Sequence, residues 1–112
     1  MIRVKRVYDE PDSSDGLRFL VDRLWPRGMK KEEARMDGWL KEVAPSDGLR
    51  RWFSHDPGKW GGFVERYGKE LEGNGKLDEL RRLSGRGTVT LLFSSRETVY
   101  NNANALKTII EG

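Results

Sequence analysis

The fold that we predict for this chain rests on the segment Thr-Val-Thr-Leu-Leu-Phe at Thr88–Phe93. This segment is nearly continuous in residues that favour extended structure and carries no ionisable side chain. Such a run, between Gly85-Arg86-Gly87 and Ser94-Ser95, is typical of a strand covered on both faces. We therefore expect an α/β protein with this strand at the centre of its sheet.

Two earlier segments also predict strands. Ile2–Tyr8 is rich in β-branched and aromatic residues interleaved with basic ones, and Leu17–Trp25 resumes the apolar pattern after the acidic loop Asp9–Gly16. A right-handed crossover would make the second strand parallel to Thr88–Phe93. The short connection between the first two strands leaves a mixed sheet as an alternative.

Helical spacing and capping residues predict the remaining elements. Lys30–Val43 is predicted as a helix on the sheet, Ser46 and Asp56 as N-caps of two further helices, Leu77–Leu83 as another, and the last helix starts near Thr98. The predicted fold class is α/β: one small domain, residues 1–112, with about three strands in a mostly parallel or mixed sheet and four or five flanking helices.

The composition suits one independently folding domain. Hydrophobic residues make up 36% of the chain and charged residues 35%, with a net charge of +3 that permits an anionic partner. The absence of cysteine excludes disulfides and thiolate chemistry. No apolar run approaches the roughly 20 residues of a membrane span, and no signal-peptide core follows Met1. We expect a cytoplasmic protein with no membrane partner.

The segment Val21–Gly28 points to a site at the end of the second predicted strand. On a strand, Asp22 and Arg23 would face opposite sides, so that at least one charge is directed inward or into a cleft. Pro26 and Gly28 would turn the chain, which leaves Arg27 on the rim and Trp25 as a flat wall. Asp22 is the candidate catalytic carboxylate, and a structural ion pair is the alternative.

The turn Ser94–Thr98 is the predicted second wall of that site. Ligands of open α/β sheets bind beyond the carboxyl ends of the strands, and a helix beginning at this turn would offer free N–H groups to an anion. We predict that Ser94 and Ser95, with Arg23 and Arg27, bind a phosphate- or nucleotide-like molecule, and that Asn101 contacts it. Alternatively the serines only cap the helix.

Other chemistry has little support in the sequence. His55 is the sole histidine and is predicted to be structural or exposed, and no spacing of ligands predicts a metal site. The chain has no glycine-rich nucleotide or cofactor motif and no serine-hydrolase elbow, so its cofactor is unknown. Three of the tryptophans, Trp39, Trp52 and Trp60, are predicted to belong to the core.

Several uncommon short motifs, in the same order along the chain, resemble those of the YeaO-like branch of domain-of-unknown-function family 488. They are Val4–Asp9, Val21–Gly28, Trp39, Lys41, Ala44-Pro45-Ser46, Leu49-Arg50, Trp52-Phe53, His55-Asp56 and Thr90–Phe93. The resemblance covers nearly the whole chain but implies no mechanism, because the family has no assigned reaction. One departure is Tyr100, where relatives are expected to carry a histidine.

Three functions therefore compete at this stage. The first is a small enzyme or binding domain for an anionic small molecule. The second is a nucleic-acid-binding module that uses the slight basicity and pairs such as Arg50-Arg51 and Arg81-Arg82. The third is a structural or partner-binding protein. The sequence decides neither the reaction, if there is one, nor the oligomeric state.

Overall fold

The central strand β4, Val89–Phe93, is paired on both sides and all five of its residues are buried, as predicted. In the computed structural model, which describes residues 1–112, β1 (Ile2–Arg6) and β2 (Leu17–Leu20) flank β4, and β3 (Gly38–Trp39) lies outside β2. All three pairings are parallel, so the sheet is not mixed. The α/β fold class is confirmed.

Five α-helices complete the fold. They are α1 (Lys31–Ala34), α2 (Asp47–Phe53), α3 (Trp60–Glu70), α4 (Gly75–Arg86) and α5 (Asn102–Glu111), and short 3-10 helices lie at Ser13–Asp15, Lys41–Val43 and Pro57–Lys59. Side chains of α2 to α5 form one core with one face of the sheet, which includes Val89 and Leu91. A smaller core on the other face contains Leu20 and Leu92.

The prediction of one long helix over Lys30–Val43 is wrong, because the structure has an α-helix only at Lys31–Ala34 in this segment. The helix ends after one turn, where Arg35 takes a left-handed conformation with φ 45°. Asp37 then binds Arg18 through a backbone N–H···O bond of 2.7 Å and a carboxylate contact of 2.8 Å, and Gly38–Trp39 pairs with β2. Trp39 packs edge-on against Trp25 at 5.5 Å. Pairing with the sheet outweighs the local helical spacing.

The second predicted strand is too long at its end. β2 stops at Leu20, and the N–H of Val21 makes the last ladder-like bond, to Leu92 O at 3.1 Å. Asp22 and Arg23 therefore belong to a loop rather than to a strand. The alternation of side chains along a strand does not determine the directions in which theirs point. The first strand likewise ends at Arg6, two residues earlier than predicted.

The last helix starts later than predicted, at Asn102 instead of Thr98. The Glu97 carboxylate accepts the N–H groups of Val99 and Tyr100, and Asn101 is the N-cap. Side chains that bind nearby backbone N–H groups hold a segment in a turn and delay the helix. Ser94–Thr98 is therefore a loop, and the free helix N-terminus expected there does not exist.

Candidate functional site

A cleft of about 380 Å³ opens at the carboxyl ends of β2 and β4, the edge at which the sequence predicts a ligand. Four of the predicted site residues line it, Asp22, Arg23, Ser94 and Ser95. The C-terminal part of α2 and the residues after it supply the other long polar side chains, Arg50, Arg51 and His55. The site is thus formed by two strand ends and one short helix.

Asp22 lines this cleft, and both of its carboxylate oxygens accept hydrogen bonds. Its Oδ2 accepts the backbone N–H of Ser94 at 2.9 Å and the Ser94 hydroxyl at 2.7 Å, and its Oδ1 accepts Nδ2 of Asn102 at 3.1 Å. Asn102 also donates to the carbonyl of Val21 at 3.1 Å. The serine predicted to bind an external anion therefore holds an internal carboxylate.

The arginines of the cleft are less engaged. Arg23 donates to the carbonyl of Pro45 at 3.2 Å and lies 3.9 Å from Asp47, which also contacts Arg50 at 3.3 Å. These contacts are exposed at the rim and hold the two guanidinium groups only weakly. Arg51, also exposed, has no ion pair or side-chain hydrogen bond in the chain. The lining therefore carries three arginines against one aspartate.

His55 lines the same cleft, which the sequence did not predict. Its Nδ1 lies 2.7 Å from the carbonyl oxygen of Tyr100, and its ring packs 5.8 Å from that of Phe53. Ser54 and His55 both have left-handed backbone conformations, with φ of 48° and 55°, so the chain reverses directly after α2. This reversal carries His55 towards the loop that follows β4.

Two side chains of α3 hold the segment that contains the lining residues Ala44 and Pro45. Tyr67 is fully buried and donates its hydroxyl to the carbonyl of Val43, while Glu70 accepts the N–H and hydroxyl of Ser46 at 2.9 and 2.5 Å. Burial, reinforced by the nearby Asp22 and Glu70 carboxylates, raises the pKa of Tyr67 far above its usual range. The neutral phenol is therefore a permanent donor that supports Ala44 and Pro45.

Three predicted site residues lie outside the cleft lining. Trp25 donates Nε1 to Met29 O at 2.7 Å and packs on Trp39 within the smaller core. Arg27 is exposed on the loop, where its carbonyl accepts the hydroxyl of Tyr8 at 2.8 Å. Asn101 is fully buried as the cap of α5 and donates to Glu97 O at 2.8 Å.

The site predicted from the sequence does not include Arg51, and the pair Arg50-Arg51 was considered there only as a contact for nucleic acid. The available signal was their position in the last turn of a short helix that Ser54-His55 ends. Only the packing of α2 against α3 brings that helix end to the cleft at the strand ends. The prediction that Trp39, Trp52 and Trp60 belong to the core agrees with the structure, in which all three pack against one of the two cores.

Two broader features of the structure concern other classes of site. No group of three or more His, Asp or Glu side chains is arranged to hold a metal ion. None of the helices combines the length and apolar character needed to cross a bilayer.

Comparison with known proteins identifies relatives over the full length. A family model described as the inactive DUF488-N3 subclade matches residues 1–112. Uncharacterized protein Rv3073c of Mycobacterium tuberculosis is 42% identical over 111 residues, 99% of this chain and 94% of the relative. Uncharacterized protein YeaO of Escherichia coli is 44% identical over 108 residues, 94% of this chain and 92% of the relative.

No solved structure matches this chain. The full-length family match and the identities above 40% to both relatives confirm the resemblance drawn from the short sequence motifs. The chain belongs to the DUF488 proteins, in the subclade described as inactive DUF488-N3.

Proposed function

We propose that this protein binds a small anionic molecule, phosphate- or nucleotide-like, in the cleft at the carboxyl ends of β2 and β4. The observation that carries the proposal is the convergence of Arg23, Arg50 and Arg51 on a cleft whose one lining carboxylate, Asp22, is already bound by Ser94 and Asn102. Guanidinium groups bind phosphates and carboxylates through paired N–H donors. A cleft with surplus guanidinium donors suits an anionic ligand.

The apolar part of the lining supports a ligand larger than a bare ion. Phe53 and Phe63, whose rings stack at 4.1 Å, both line the cleft, and so does Leu24, which is 67% exposed. A volume of about 380 Å³ falls within the range of small-molecule sites. The cleft therefore accommodates an organic group beside the anionic one.

Two observations favour binding over catalysis. To act as a general base, Asp22 would have to give up hydrogen bonds that it accepts from Ser94 and Asn102. The subclade is also described as inactive.

We also propose that the protein is cytoplasmic. The chain has no cysteine, so its fold does not depend on the disulfide bonds that form in oxidising compartments.

Thermal unfolding and calorimetric titration of the full chain test this proposal. Inorganic phosphate, sulfate, adenosine 5′-monophosphate and neutral adenosine are compared at low salt. We expect saturable stabilisation by the anions, about 2.7 kcal/mol at a ligand concentration of 100 times Kd, and none by adenosine at the same concentration.

The same measurements contain the result that would contradict the proposal. If no small anion stabilises the protein at millimolar concentration, the cleft is not an anion site. If only a long oligonucleotide binds, and its affinity falls steeply with salt, the nucleic-acid alternative replaces ours.

A further inference from the structure

We infer that the ligand of this cleft is a phosphomonoester and that His55 determines this specificity by sharing one proton with the phosphate group. The inference rests on the proposed anion site and narrows its ligand class. Its basis is the contact between His55 and Tyr100 together with the charges that line the cleft.

The contact with Tyr100 fixes the tautomer of His55. A backbone carbonyl oxygen only accepts hydrogen bonds, so at 2.7 Å from Tyr100 O the Nδ1 atom must carry a proton. The other ring nitrogen, Nε2, makes no hydrogen bond within the chain. In the neutral ring Nε2 is therefore an acceptor, and in the charged ring it is a donor.

Three segments contribute charged groups to the cleft that His55 lines or to the loop that His55 contacts. Glu97, in the loop after β4, binds the backbone N–H of Tyr100 at 3.0 Å, and the charge of His55 helps to keep the pKa of Glu97 low. Arg51 lines the cleft from α2, and Asp22 and Arg23 line it from the loop after β2. The ring therefore has a carboxylate on the Tyr100 side and guanidinium groups among the residues that line the cleft with it.

When His55 is neutral, its Nε2 can form a hydrogen bond with an anion only if that anion still carries a proton to donate. A phosphomonoester has a second pKa near 6, so near neutral pH it exists both as a monoanion with a P–OH donor and as a dianion. The monoanion donates to the neutral Nε2, and the dianion accepts from the charged one. A phosphodiester or a carboxylate has no such proton at neutral pH.

The charges in the cleft agree with this reading. Asp22 inside the cleft and Asp47 at its rim offset two of the three arginines. Among these three arginines, two aspartates and His55, the surplus is one positive charge when His55 is neutral and two when it is charged. These two states match the monoanion and the dianion of a phosphomonoester, and one proton distinguishes both pairs.

The experiment compares a matched pair of ligands, adenosine 5′-monophosphate and 3′,5′-cyclic adenosine monophosphate, by calorimetric titration. At pH 6.5 we expect the monoester to bind about tenfold more tightly or better, which corresponds to one charge-assisted hydrogen bond of about 1.4 kcal/mol or more. Its affinity falls between pH 6.5 and pH 8.5, because binding then requires uptake of a proton that neither partner holds.

The matched variant is His55→Asn. An asparagine amide can still donate to the carbonyl of Tyr100, and asparagine tolerates the left-handed backbone found at φ 55°. The variant lacks any titrating ring nitrogen. We expect it to unfold at the wild-type urea concentration, to bind both nucleotides within threefold of each other, and to show a smaller pH dependence for the monoester.

Each outcome decides between the two proposals. If both nucleotides bind the wild type equally and His55→Asn alters neither affinity nor pH dependence, the phosphomonoester inference is wrong and the anion site stands. If neither nucleotide nor inorganic phosphate binds the wild type, both fail. Oligonucleotides with a 5′-phosphate or a 5′-hydroxyl separate the two sources of a phosphomonoester, since tighter binding of the phosphorylated one than of the free nucleotide identifies a strand end.

Discussion

The Asp22 carboxylate accepts both the backbone N–H and the hydroxyl of Ser94, at 2.9 and 2.7 Å, and so joins the chain after β2 to the chain after β4. An internal carboxylate thus occupies donors that would otherwise serve an external anion. The anion site that we propose consequently depends on the arginines and on His55 rather than on the Ser94 side chain.

Asp22→Asn should weaken the fold and tighten anion binding. An amide has one acceptor oxygen where the carboxylate uses two, so at least one donor of Ser94 or Asn102 loses its partner, at a cost of about 1–3 kcal/mol. Removing the negative charge should strengthen the binding of phosphate. Urea unfolding and calorimetry measure the two effects. Glu72→Gln, an exposed charge change outside the cleft, is the control and should alter neither.

Arg51→Ala should reduce anion affinity and leave stability unchanged. Arg51 is exposed and has no ion pair or side-chain hydrogen bond in the chain, so its removal should alter the free energy of unfolding by less than about 0.5 kcal/mol. Loss of its contact to the ligand should cost about tenfold in affinity. Arg82→Ala, an equal loss of charge on α4, should retain binding. Equal losses in the two variants would indicate only a nonspecific charge effect.

Gly16→Ala should be strongly destabilising. Gly16 has φ 63° and ψ −134°, and a Cβ there would lie 2.1 Å from the backbone oxygen of Thr88, so β2 would be displaced from β4. We expect a loss of about 3 kcal/mol or more in the free energy of unfolding. Gly28→Ala is the matched control, since its φ is 74° but no atom lies within 4 Å. It should lose only about 1 kcal/mol, for its left-handed backbone. Similar losses at the two positions would exclude the clash as the cause.

The Asp15 carboxyl should make the free energy of unfolding fall as the pH is lowered. Its burial by itself raises the pKa of the carboxyl, but hydrogen bonds from Lys5, the Asp12 backbone and Arg18 outweigh burial and lower it below 3.8. A carboxyl whose pKa is lower in the folded than in the unfolded state stabilises the fold above the unfolded pKa. That contribution is lost as the pH falls through the folded pKa.

The variant Asp15→Asn tests this contribution. Breaking a buried charged cluster leaves Arg18, only 4% exposed, without its carboxylate, and should cost about 3–5 kcal/mol at pH 7. Urea unfolding between pH 2 and pH 7 should show a smaller loss of stability with acid than in the wild type. An unchanged pH profile would assign the acid dependence to other carboxyl groups.

The candidate site was only partly accessible to sequence reasoning. Asp22, Arg23, Ser94 and Ser95 were found because strand ends meet at one edge of a parallel sheet, a rule that needs no side-chain detail. Trp25 was placed in the site by the same rule, yet its indole packs on Trp39 because burial of two large rings outweighs their exposure in a cleft.

The α/β class, the buried central strand Val89–Phe93 and the family could be recognised from the sequence, because a continuous apolar run and short residue motifs are visible within single segments of the chain. Tertiary structure alone decided that Gly38–Trp39 becomes a strand and that α2 brings Arg51 and His55 to the strand ends. Such contacts join residues far apart in the chain, and their energies depend on packing and pairing that no local pattern encodes.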